Sequence, residues 1–208
     1  MISTHSLNAG YHKDNLMIVN LNLEIEPRSK CWVKCPPDVG RLLMSIIIGR
    51  TKPISGALKI MDKRPYILTS SSIPYFMRNL GLFWPSMPLI SNETVKENLF
   101  WRLAAIGETR HELFIESALF ILGLKTAADV KIRNLPQSER AKVALARAII
   151  SRPSLIIVLE PTRDLSEADA HKILRILARL KLLGSTVIII SSQDPPEYPS
   201  FKLIKIGE

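Results

Sequence analysis

Two runs of this chain, Leu155-Ile-Ile-Val-Leu159 and Thr186-Val-Ile-Ile-Ile190, are apolar almost without interruption. A strand with one wet face alternates apolar and polar residues. A short continuous run has both faces buried, as central strands of a parallel sheet do. A parallel pair needs a crossover between its members. Residues 166–183 supply one, with Ala168, Ile173, Leu174, Ile176, Leu177 and Leu180 at helical spacing. Ser166 stands as N-cap, Glu167 and Asp169 occupy the first turn, and Gly184 follows the end. The unit is β-α-β, and the chain is predicted to be α/β. Leu21, Leu23 and Ile25 alternate with polar neighbours over 21–26, which reads as a half-buried strand. Residues 93–150 have another texture, with helices predicted over 93–106, 108–122 and 138–150 and no strand. The expected organisation is one domain, 1–208, with an α/β core of about 1–84 and 151–208 and a helical subdomain inserted at about 85–150, without internal repeats.

Composition removes other classes. At 208 residues a chain buries roughly 70% of its extended surface. With 47% apolar and 23% charged residues it is neither disordered nor collagen-like. Cys31 and Cys35 have no His or third Cys near them, so no metal cage or disulfide framework is expected, and His5, His12, His111 and His171 show no ligand spacing. The first twenty residues carry no secretory leader. The longest apolar runs fall well short of the roughly 18–20 residues that span a bilayer. The expected location is cytoplasmic, with any membrane role exercised through a partner. The formal charge of +9 is spread along the chain without a run of five Lys or Arg. It suits an anionic surface, and nucleic acid is not the expected partner.

At Pro153-Ser-Leu-Ile-Ile-Val-Leu-Glu-Pro-Thr162 a proline leads into a buried strand ending in Glu-Pro-Thr, and upstream stands Leu135-Pro-Gln-Ser-Glu-Arg-Ala-Lys-Val-Ala-Leu-Ala-Arg-Ala148. Together these resemble the nucleotide-binding subunits of ABC transporters, in which a Leu-Ser-Gly-Gly-Gln signature opens a helix ending in Ala-Arg-Ala and the next strand ends in Asp-Glu-Pro-Thr. Ala9-Gly-Tyr11 is similar to the loop that stacks on adenine, Ile54-Ser-Gly56 to the turn after the first helix, and the phrases around Ile73-Pro and Glu93-Thr-Val-Lys-Glu-Asn-Leu99 to the FtsE, LolD and MacB branch. The resemblance spans about residues 7–207 and implies a P-loop NTPase fold of the ABC type.

The same resemblance locates departures from the family pattern. The phosphate loop Gly-x-x-x-x-Gly-Lys-Ser/Thr binds through backbone N–H groups, a lysine and a metal-holding hydroxyl. Here it reads Cys35-Pro-Pro-Asp-Val-Gly-Arg-Leu42. Gly40 remains, Arg41 keeps a charge, Leu42 has no oxygen, and Asp38 in place of a glycine is expected to turn a carboxylate toward phosphate. Gly49 follows Arg41 by one residue fewer than the family spacing, and in the alternative, shifted register no basic residue fills the lysine place. Trp84 replaces the glutamine that orders water and Mg²⁺, and indole N–H cannot ligate a cation. The signature is Leu135-Pro136-Gln137-Ser138-Glu139, without its two glycines, and Leu159 stands before Glu160, the place of the acidic residue that precedes the base. Ser192 falls at the switch histidine.

Each feature also has a plain structural reading. Glu160 fits a strand-end cap, Tyr11 a surface aromatic, and Phe83, Phe100, Trp84 and Trp101 either subdomain core or an apolar patch beside the groove that receives a membrane partner. The leading expectation is a pseudo-ATPase that needs no cofactor. It would dock as a cytoplasmic, peripheral subunit at the inner face of the membrane on an FtsX-like or other integral membrane permease, as a homodimer or a heterodimer with another cassette. Two alternatives stand beside it. One is a weak ATPase using ATP and Mg²⁺ through Arg41 and Glu160. The other is a basic nucleic-acid-binding module, marked by a steep inverse dependence on salt.

Overall fold

The computed structural model describes residues 1–84, 87–163, 165–180, 184–197 and 199–206. The two apolar runs form its centre. β6 (Leu155–Leu159) and β7 (Thr186–Ser191) pair in parallel, Leu155 opposite Thr186 and Leu159 opposite Ile190, and every residue of both is buried. They lie within a five-stranded sheet of order β5 (Leu80–Phe83), β6, β7, β3 (Lys30–Lys34), β8 (Lys202–Lys205), in which every neighbouring pair is parallel. Because strand side chains alternate, this sheet divides two cores. Ile156, Val158, Val187 and Ile189 face the helical layer, while Leu155, Ile157, Leu159, Ile188 and Ile190 face α1 (Pro37–Ile47).

A second sheet is antiparallel, with β1 (Ile2–His12) between β2 (Asn15–Ile25) and β4 (Ser55–Ile60). The strand expected at 21–26 is the last part of β2, which starts earlier, at Asn15, and ends at Ile25. Leu7, Ile18, Leu58 and Ile60 are buried in the same core as α1. A short helix, α2 (Ser72–Arg78), precedes β5.

The helical layer holds α3 (Val95–Ile106), α4 (His111–Leu122) and α5 (Gln137–Ile149). The phrase Thr-Val-Lys-Glu-Asn has a local physical role. Thr94 Oγ1 accepts from the Glu97 N–H and Glu97 Oε2 accepts from the Thr94 N–H, a complete capping box. Buried Asn98 accepts from the Ile90 N–H at 2.9 Å and donates to the carbonyls of Ile90 and Thr94, so its whole amide is satisfied. α4 starts later than 108 because the Glu108 carboxylate takes the N–H groups of Thr109 and Arg110 in a local turn. Arg102 joins the layer to the sheet by donating to the carbonyls of Arg78 and Leu80 and to Ser151 Oγ. Burial lowers the pKa of Arg102, helped by Arg147 and Arg78.

α6 (Glu167–Leu180) is the crossover between β6 and β7, and Ser166 Oγ accepts from the Asp169 N–H at 3.2 Å as the N-cap expectation required. Residues 181–183, where the predicted helix continues, lie outside the described residues. Lys142 of α5 bonds Asp169 at 2.9 Å, which links α5 to α6 and holds the Asp169 carboxyl below its ordinary range. No helix among the described residues is long and apolar enough to cross a membrane.

α5 packs against β5 so closely that only glycine fits at position 81. A Cβ there would lie 2.3 Å from the Ala148 carbonyl oxygen, a backbone atom with no freedom to swing away. Gly81→Ala is expected to lower unfolding free energy by about 1–3 kcal/mol or more, read from the urea midpoint at unchanged slope.

Candidate functional site

In an all-parallel sheet the strands end on one side, and ligand sites of α/β folds lie beyond those carboxyl ends. At that side Cys35 and Pro36 alone separate β3 from α1. The segment expected to be a phosphate loop is therefore helix from Pro37 onward, with the Gly40 N–H bonded to the Pro36 carbonyl at 3.0 Å. Proline at the first helical positions has its φ preset for a helix and no N–H to orphan. Val39, Leu42, Leu43, Ile46 and Ile47 supply the buried stripe that holds the helix down.

This corrects the expectation for Asp38. Its carboxylate does not turn into a nest of amides but lies on the solvent face of α1, ion-paired with Arg41 one turn on. The Arg41 charge is thereby answered within the same helix. Leu42 is fully buried. Gly40 faces the sheet, where a Cβ would come within 3.1 Å of Leu159 Cδ1 and 3.2 Å of Ile190 Cγ2, so α1 rests directly on the ends of β6 and β7.

Glu160 leaves β6 with φ 46°, in the left-handed region. Its N–H donates to the Ile190 carbonyl, Oε2 accepts from Ser191 Oγ at 2.8 Å, and Oε1 accepts from the Ser192 N–H at 2.8 Å. The carboxylate thus pins the turn after β7, and Ser192 meets it through its backbone. Cys35 is buried beside it, with its N–H on the Ser191 carbonyl. Burial, and secondarily the Glu160 charge, push the Cys35 thiol up to about 12.

Between this edge and the helical layer opens a cleft of about 360 Å³. It brings together Phe83, Trp84, Gln137 and Glu160, all named by the sequence, with Arg133 and Arg140, which sequence reasoning missed. Arg140 is the residue after the signature-like stretch and Arg133 stands just before it, so their position beside Glu-Pro-Thr is the signal that was available. Arg140 Nε is buried with no hydrogen-bond partner among the described residues. Of the signature-like residues, Leu135 is buried, Pro136 is the N-cap of α5, and Ser138 and Glu139 fall in its first turn. Trp101 does not line this cleft. It is half-exposed and packs edge-on against Phe100, ring centroids 5.2 Å apart. Tyr11 is exposed at the β1–β2 hairpin.

The family profile described as ABC transporter matches residues 41–163. The chain belongs to the ABC transporter family. It is similar to the cell division ATP-binding protein FtsE of Streptococcus pneumoniae serotype 2, 24% identical over 86% of this chain and 79% of that one. It is also similar to the lipoprotein-releasing system ATP-binding protein LolD 2 of Rhodospirillum rubrum, 26% identical over 93% and 87%. A dimeric ATP-binding cassette in a post-hydrolysis state, bound to ADP and Pi, superposes with a TM-score of 0.80 at 23% identity, covering 93% of this chain and 88% of that one. CbiO1 from Clostridium perfringens, part of the ABC transporter complex cbiONQ, gives 0.79 at 20%, covering 99% and 84%. The α/β architecture expected from the sequence is therefore the ABC ATPase cassette fold.

Within the ABC cassette, the positions that the resemblance assigns to magnesium are Leu42, Trp84 and Leu159. None has a side-chain oxygen, and Leu42 and Leu159 are core residues. This set does not fit a magnesium ion held through side-chain oxygens at those places.

Two measurements follow from the geometry. Glu160→Ala removes both acceptors at the β7 turn and is expected to cost about 1–3 kcal/mol of stability in urea unfolding, with Glu160→Gln costing less because an amide still accepts one of the bonds. With its pKa near 12, only about one Cys35 thiol in ten thousand is ionised at pH 8. Native protein should leave Cys35 unalkylated by iodoacetamide, and urea should release it, as read by mass spectrometry. The raised pKa also means that the unfolded chain ionises first, so this thiol's contribution to stability is lost as pH rises from about 9 to about 12.

Proposed function

We propose that the chain is a cassette subunit that does not hydrolyse ATP and works by binding an integral membrane permease. The observation that carries this reading is the seating of α1. Its helix begins at Pro37, Gly40 lies against Leu159 and Ile190, and Leu42 is in the core; Pro36 and Pro37 have no N–H to offer a phosphate, and the Cys35 and Gly40 N–H groups are taken by the Ser191 and Pro36 carbonyls. Phosphoryl transfer depends on positioning and on neutralising charge. Arg41 paired to Asp38, and Glu160 paired to Ser191 and Ser192, are placed for neither.

The permease docks in the cleft lined by Phe83, Trp84 and Arg140, and the subunit sits at the inner face of the membrane as a homodimer or beside a second cassette. Relatives named for cell division and for lipoprotein release support such a setting. No cofactor is required.

Isothermal titration with ATP, with and without Mg²⁺, tests the reading. No Mg²⁺-dependent heat is expected at millimolar ATP, and Mg²⁺-dependent binding tighter than about 100 μM overturns it in favour of a weak ATPase. The variant combining Asp38→Gly, Arg41→Lys, Leu42→Ser and Leu159→Asp should also stay without ATP binding, because Pro36 and Pro37 still start the helix early. A gain of binding in that variant would show that the loop opens once the side chains permit it.

A further inference from the structure

Away from the strand ends, α4 and α6 enclose a groove that the cassette reading does not use. α4 is apolar on both sides. Ile115, Ala118, Leu119 and Leu122 are buried, while Leu113, Phe120 and Ile121 face out, Phe120 with 70% of its surface exposed. Glu112, Glu116 and Ser117 break the outward side, and Leu113, Phe120 and Ile121 leave an exposed apolar patch among them of the kind that marks an interaction site. Opposite it, Lys172, Arg175 and Arg179 of α6 stand at i, i+3 and i+7, one helical face about 10 Å long.

These cations, with Phe120, Ile121 and Ile176, line a concave groove of about 420 Å³ that has no acidic residue in its walls. Lys125 adds another positive charge, its Nζ 5.2 Å from the centre of the Phe120 ring. Among the ion pairs between described residues, none engages Lys125, Lys172, Arg175 or Arg179.

We propose that this groove docks an acidic amphipathic helix of a partner protein. Such a helix would set its apolar stripe on Phe120, Ile121 and Ile176 and bring carboxylates of matching spacing to Lys172, Arg175 and Arg179. Three cations at i, i+3 and i+7 beside an apolar patch, in a groove with no acidic residue in its walls, complement one face of an acidic amphipathic helix in both charge and spacing. Aromatic and arginine side chains are also enriched in protein interfaces.

The test uses the full chain and a fluorescein-labelled synthetic peptide of about 15 residues, with Leu at helical spacing flanked by Glu. A scrambled peptide of the same composition is the control, and binding is read by anisotropy. The expected result is micromolar affinity that weakens as salt rises and falls at least about tenfold in the Arg175→Glu/Arg179→Glu variant and in Phe120→Ser. These side chains are exposed, so the variants should keep the wild-type thermal midpoint. Where one does not, Arg175→Gln/Arg179→Gln replaces it. No peptide binding, equal binding of the scrambled peptide, or unchanged affinity in the variants overturns the proposal. Binding to phosphatidylglycerol vesicles through the same residues, without peptide binding, overturns it in favour of a lipid surface.

Discussion

β6 and β7 are buried on both faces, and the remaining architecture follows from that constraint. Neither strand has a side that tolerates water, so one layer must cover Ile156, Val158, Val187 and Ile189 and another must cover Leu155, Ile157, Leu159, Ile188 and Ile190. The helices α3, α4, α5 and α6 supply the first cover, and α1 with the antiparallel sheet supplies the second. α1 reaches its place through a connection of only two residues, and it meets the strand ends at a glycine because nothing larger than hydrogen leaves Leu159 and Ile190 undisturbed.

Helix–sheet contact at the strand ends is where this cassette departs from what its resemblance implies. A phosphate loop is an open turn whose amides wait for a ligand. Here the same stretch carries two prolines, a buried valine and a buried leucine, and the favourable course is to continue the helix back to Pro37 and bury the stripe. Charge follows the same logic. Asp38 and Arg41 meet each other in water, while the Glu160 carboxylate is satisfied by the chain after β7.

Elements with strong local signals were legible from sequence: the two continuous strands and the Ser166 cap of α6 each act through neighbours within a few residues, whereas the Thr94–Glu97 box of α3 was noted only as a family phrase and its capping role emerges from the structure. The start of α1 was obscured because the family pattern imposed a loop on residues whose own chemistry, Pro36-Pro37 before an apolar stripe, favours a helix. The cleft was only half legible. Trp84, Gln137 and Glu160 come from three separate elements, and their meeting with Arg133 and Arg140 depends on how α5 lies across β5. Trp101 lies outside this cleft because neighbours on a helix point about 100° apart, and Phe100 takes the inward direction while Trp101 takes the outward one. The net charge read as spread out with an N-terminal lean, yet three cations of the C-terminal half share one face of α6.

Glu160 carries a further consequence. A left-handed backbone at a residue with a side chain costs free energy, and here the cost is offset by two hydrogen bonds across the sheet. A glutamate wired into the fold in this way keeps its place under selection for folding alone. Its presence at the end of β6 is therefore explained by architecture, and says nothing by itself about whether a cassette turns over nucleotide.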